Sequence, residues 1–178
     1  MKHVIVCTWV LYCFTSCLKD KIEDPNEEEL ITTVGVTLTD QKTQQPFTFL
    51  FRDLDGPGGL PPQQFDTIKL NANSIYDAQI ILGNESVAPA ENIRNEVESE
   101  SNDHQVFYLP NGIELQVSQL NKDANGWDLG TASKWNTGSS GKGNIRITLK
   151  HKPGFKSSND GVEIGETDVE IDFPVSLQ

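Results

Sequence analysis

From Val169 to Leu177 every second residue is large and apolar: Val169, Ile171, Phe173, Val175 and Leu177. Their neighbours Asp168, Glu170 and Asp172 carry charge. A period of two over nine positions is incompatible with a helix, where one face recurs every 3.6 residues, and it fits a strand with one buried face. The same alternation recurs along the chain. Val34, Val36 and Leu38 share a face, and so do Phe47, Phe49 and Phe51. Turn-forming stretches separate the runs, among them 53–62 (DLDGPGGLPP), Asn125-Gly126 and 138–143 (GSSGKG). Strands are expected at 65–70, 74–82, 105–109, 113–120, 131–137 and 144–150 as well. The 105–109 and 113–120 runs are expected to form one hairpin, and the 131–137 and 144–150 runs another. Pro174 lacks an amide proton, so the last strand should run at an edge or through a bulge.

About eight or nine short strands, with almost no helix, predict an all-β chain: an antiparallel, immunoglobulin-like β-sandwich. The Cys…Trp…Cys core of true immunoglobulin domains is absent, so the likeness is one of architecture. The folded domain is expected over 30–178, with the N-terminal 29 residues outside it.

One stretch departs from the pattern. Residues 89–100 (PAENIRNEVESE) suggest a short acidic helix, with Pro89 in its first turn and Ala90, Ile93 and Val97 as an apolar stripe. Glu91 and Arg94 are spaced to pair. Glu96, Glu98 and Glu100 crowd the C-terminal end, where the helix dipole disfavours negative charge. Asp103 and His104 follow at once. Carboxylates with one imidazole suit Zn²⁺ or another borderline divalent ion, and carboxylates alone suit Ca²⁺. Glu96, Glu100, Asp103 and His104 therefore form a candidate metal site. The competing reading is a solvated acidic turn.

Two loops carry fragments of calcium-binding patterns. Asp53 and Asp55 stand in D-x-D-G, and Asn121, Asp123 and Asn125 supply oxygens at alternate positions before Gly126. Neither has the bidentate Glu that closes an EF-hand loop. Trp127, Phe107 and Tyr108 are candidates for an interface, and Trp135 for the core. Catalysis finds little support, and the expectation is that the chain is not an enzyme. There is no G-x-S-x-G elbow, and only His104 and His151 offer imidazole bases beyond the first sixteen residues. His151, between Lys150 and Lys152, reads as a surface residue. The 138–143 loop lacks the spacing of a phosphate-binding loop and leads into a strand.

The N-terminus reads as an export signal. Lys2 and His3 precede an apolar run from Val4 to Phe14, too short to span a bilayer, and Thr15-Ser16-Cys17 closes it. Small residues immediately before a cysteine match the lipobox of bacterial lipoproteins, although Phe14 replaces the usual Leu. Residues 1–16 are expected to be a signal peptide, Cys17 the lipid attachment point, and 17–29 a disordered acidic tether. Cys7 and Cys13 leave with the leader, so Cys17 stays single and no internal disulfide can form. Met1 is the only methionine, which excludes soft thioether metal sites. The formal charge of −12 becomes one unit more negative without Lys2, which argues against nucleic acid as a partner.

The chain resembles a group of small Bacteroidota-type outer-membrane lipoproteins of unknown function. The matching stretches are Glu28–Val34 (EELITTV), Phe51–Gly56 (FRDLDG), Asn84–Ile93 (NESVAPAENI), Asp103–Tyr108 (DHQVFY) and Thr167–Val175 (TDVEIDFPV). The resemblance implies an immunoglobulin-like sandwich, an outer-membrane location on the surface or periplasmic face, and a role beside an importer or another surface protein. It implies no catalytic residues. The expected function is that of a lipid-anchored binding or accessory module capturing a divalent cation or small ligand beside an outer-membrane transporter. The alternative is a structural or adhesive surface module without a small ligand.

Overall fold

The structure, a computed structural model, describes residues 30–56 and 58–178. The leader, Cys17 and the tether lie outside the described residues. Ten strands and one helix follow in the order β1 (Thr33–Asp40), β2 (Pro46–Arg52), β3 (Gln64–Phe65), β4 (Ile68–Leu70), β5 (Ile75–Gly83), α1 (Ile93–Ser99), β6 (His104–Asn111), β7 (Leu115–Ser118), β8 (Ala132–Thr137), β9 (Gly141–His151) and β10 (Glu166–Leu177). They form a six-stranded sheet, ordered β3-β2-β1-β5-β8-β7, and a four-stranded sheet, ordered β4-β10-β9-β6. This is an all-β sandwich, and every ladder is antiparallel except β4–β10, which is parallel.

The alternating residues meet between the sheets. Val34, Val36 and Leu38 of β1, Tyr76, Ala78, Ile80 and Leu82 of β5, and Trp135 of β8 form one wall of the core. Val106 of β6, Ile145, Ile147 and Leu149 of β9, and Phe173, Val175 and Leu177 of β10 form the other. Phe47, Phe49 and Phe51 lie opposite Leu38, Val36 and Val34 in register and pack at the rim, half-buried. Gly35, between Val34 and Val36, faces the other way, where Leu50 of β2 covers it. A Cβ there would come within 2.5 Å of the Phe49 carbonyl and the Leu50 side chain.

Two expected hairpins and one expected strand are corrected. Runs 105–109 and 113–120 do not form a hairpin: β6 lies in the four-stranded sheet and β7 in the six-stranded one. Likewise β8 and β9 are in different sheets, so the link through Gly138 crosses the sandwich. The expected strand 65–70 is two: β3 adds to β2, then the chain crosses over and β4 adds to β10. The alternation that signals a strand reports which side chains are buried and leaves the partner unspecified, since inner faces of both sheets look alike. Pro174 sits just outside the β4 ladder, which covers only Val175 to Leu177, so one side of β10 is free of a partner strand there.

The helix is shorter than expected. It begins at Ile93, and Pro89 and Ala90 are exposed in the segment before it. That segment is held instead by a two-way bridge in which Asn84 and Glu91 exchange backbone hydrogen bonds, and Glu91 also accepts from the Asn84 side chain. Glu91 is thereby engaged away from Arg94, which pairs with Glu98 at 2.9 Å. Only Ile93 and Val97 of α1 are buried. Seven residues are too few to be helical alone, and docking of these two side chains holds the helix in place.

Candidate binding site at the β6 start

At one end of the four-stranded sheet β6 and β10 begin and β9 ends, and here the interior turns polar. His104, fully buried, opposes His151 in the β6–β9 register, and the two imidazoles stack with centroids 4.6 Å apart and planes 9° off parallel. The His104 Nδ1 lies 3.2 Å from the Glu100 carbonyl, and its Nε2 lies 3.9 Å from Asp168 Oδ2. Asp168 was expected to face outward with Glu170 and Asp172. The register of β10 against β9 slips between Thr167 and Val169, and this irregularity turns the Asp168 side chain inward, where it is fully buried. His151, expected at the surface, is 4% exposed.

The cause is the long segment between β9 and β10. It leaves β9 at Lys152, whose amide donates to the Asp103 carbonyl, and makes a turn closed by Phe155 and Lys156 amides on the Lys152 carbonyl. Both lysines of this turn are buried. The Lys156 ammonium reaches Asp123 at 2.7 Å and the Ser101 carbonyl at 2.6 Å. Asp123 also accepts from the amides of Asn125 and Trp127. Burial pushes the Asp123 carboxyl up, but Lys156 and these amides outweigh it and hold it below the ordinary carboxylate range.

The Lys152 ammonium, 0% exposed, makes one short bond, to Gln105 Oε1 at 2.9 Å. Its other oxygen neighbours stand further off: the Gly161 carbonyl at 3.4 Å and Asp160 at 3.6 Å. It also lies 4.5 Å above the centre of the Phe107 ring. Burial lowers its pKa from the usual lysine value, and the nearby Asp160 charge opposes that only in part. Asp160 is fixed by the amide and hydroxyl of Ser157. Gln105, Phe107 and Asp160 line a cavity of about 350 Å³, completed by Tyr108, Val117, Leu120, Asp128, Ser158 and Asn159. A buried ammonium thus stands directly behind the wall of an open cavity.

The expected metal residues do not converge. His104 is in the core, whereas Glu96 and Glu100 are exposed and Asp103 half-exposed on the α1–β6 connection. Among the described residues no three His, Cys, Asp or Glu side chains come together in a way that would hold a metal ion. In the second calcium-like loop, Asn121 is spent on Thr131 and on the Ala132 amide, and Asn125 on Asn102. Asp53 and Asp55 lie together in the loop after β2. Of the interface candidates, Phe107 lines the cavity, while Tyr108 donates to the Gly130 carbonyl and sets its ring edge against Trp135, 5.8 Å away. Trp127 is half-buried beside Asp123. The sequence left Lys152, Lys156, His151 and Asp168 out. The one signal for them was charge density on both sides of His151, which reads as exposure when no tertiary cover is known. No helix among the described residues is long and apolar enough to cross a membrane. No protein-family model, curated protein or solved structure matches the chain.

Proposed function

We propose that the protein is a lipid-anchored binding module of the outer membrane that takes a small polar ligand into the cavity beside Lys152. The observation that supports this reading is the loosely satisfied ammonium behind the cavity wall. An ammonium removed from water costs several kcal/mol unless its three donors are well met, and here two of the three oxygens stand beyond 3.3 Å. A ligand carboxylate or carbonyl entering between Gln105 and Asp160 supplies the missing short contact, with Phe107 as an apolar platform. Anchoring rests on the sequence around Cys17, and a role beside an importer rests on the family resemblance alone.

The test is a thermal-shift and calorimetric titration of the full chain in detergent, using small carboxylates such as succinate and citrate as probes. Binding by wild type and its loss in Lys152→Met supports the reading. Wild type that ignores every such probe overturns it and leaves the adhesive alternative, for which Asp160 is simply the permanent partner of Lys152. Cys17→Ala should move the protein from the membrane fraction to the soluble fraction, and an unchanged distribution contradicts the anchor.

A further inference from the structure

The two calcium-like loops differ in what meets their carboxylates. At Asp123 a positive charge is already present, since the Lys156 ammonium lies 2.7 Å away and two backbone amides complete the shell. At Asp53 nothing equivalent exists. The residue is 9% exposed, and its Oδ1 is buried with no hydrogen-bond partner. Its carboxyl lies within hydrogen-bonding reach of the Asp55 carboxyl. Asp55 is exposed, and it accepts from the Leu60 amide at 2.7 Å and from the Gln63 side chain. The Leu60 amide above all holds the Asp55 carboxyl below its ordinary range, so it is ionised at neutral pH. The adjacent Arg52 is committed elsewhere, to Glu85 at 2.6 Å. Among the described residues no Lys, Arg or His pairs with either aspartate.

Two carboxyl groups in contact, one of them with a buried bare oxygen, need a positive charge or a shared proton between them. We propose that Asp53 and Asp55 hold a hard divalent cation, Ca²⁺ before the softer ions. The donor set is oxygen only, which disfavours Zn²⁺ and other borderline metals. Asp53 supplies a buried oxygen, and the exposure of Asp55 admits the waters that complete six to eight oxygen ligands around Ca²⁺. The site is independent of the Lys152 cavity, on a different loop and with ligands of opposite charge.

The experiment is a calorimetric titration of the full chain with CaCl₂ at pH 7 after chelator treatment, with melting temperature followed in parallel. The expected dissociation constant is about 10⁻⁴ to 10⁻³ M, the range of extracellular modules with few protein ligands. Asp53→Asn and Asp55→Asn should each weaken binding about tenfold or more, while Asp77→Asn, exposed on β5, leaves it unchanged. Circular dichroism checks that each variant folds, and exposed Asp55 carries the decision if Asp53→Asn does not. No heat and no rise in melting temperature up to about 10 mM CaCl₂ overturns the proposal, as does binding that survives both substitutions. An Asp53→Asn chain that is more stable than a wild type indifferent to Ca²⁺ identifies a shared proton instead, and also overturns it.

Discussion

Lys156 shows how a side chain can stand where a cation would. Its ammonium neutralises Asp123 from the far side of a turn, and the loop bearing Asp123 is fixed through it to the β9–β10 connection. Removing the lysine head leaves a buried carboxylate with only two backbone donors. Lys156→Met should therefore cost about 3 kcal/mol, the range for breaking one side of a buried pair. Urea unfolding measures it, and a loss below about 1 kcal/mol would show that the pair is solvated. Lys152→Met should behave otherwise, within about 1 kcal/mol of wild type, because its acidic partner sits 3.6 Å away and keeps the Ser157 amide and hydroxyl as donors. None of this contrast was legible in the sequence. His151 between two lysines has the look of a solvated strand end, and only the return of 152–165 over β6 and β9 buries all three. The Phe47-Phe49-Phe51 face and Trp135, by contrast, were plain, because apolar periodicity states burial directly.

Elements were legible where they are periodic and illegible in their partnerships. The spans of β1, β2, β5 and β10 follow from alternation alone. The assignment of β6 and β7, or of β8 and β9, to opposite sheets does not, since the residues that cross between layers, such as Gly112 and Gly138, are also those of ordinary hairpin turns. In the helix, the Ile93–Val97 half of the expected stripe is present, while Ala90 falls outside it because the Asn84–Glu91 bridge holds that segment extended. Docking of α1 then depends on two side chains. Val97→Ala should cost about 2 kcal/mol, from lost apolar contact plus the cavity left behind. Arg94→Ala should cost under about 0.5 kcal/mol, because its ion pair with Glu98 is partly exposed. Equal losses at both positions in urea unfolding would contradict this division.

At the scale of the whole molecule, acidity governs the response to pH. The carboxyls of Asp123, Glu85, Glu98, Asp160 and Asp172 are all held below their ordinary values in the folded chain. Each takes up a proton more readily once unfolded. Their stabilisation is therefore complete above the unfolded carboxylate range near pH ~4 and is lost as pH falls through the lower folded values. The melting temperature should stay level from about pH 7 to about pH 5 and fall below about pH 4. A melting temperature that rises on acidification to about pH 3.5 would mean that relief of the −12 self-repulsion outweighs these local contacts.

The parallel pairing of β4 with β10 has a consequence for how the chain assembles. Ile68 to Leu70 have no strand partner until Val175 to Leu177 arrive from the far end of the sequence, and the backbones of Ala72 and Leu70 then bond to Gln178. The six-stranded sheet and the β6–β9 ladder can form early, yet the β4 edge of the second layer must wait for β10. Closure of so long a loop is slow. During that delay the inner faces of β1 and β5 are exposed to water, so folding competes with aggregation until β10 arrives.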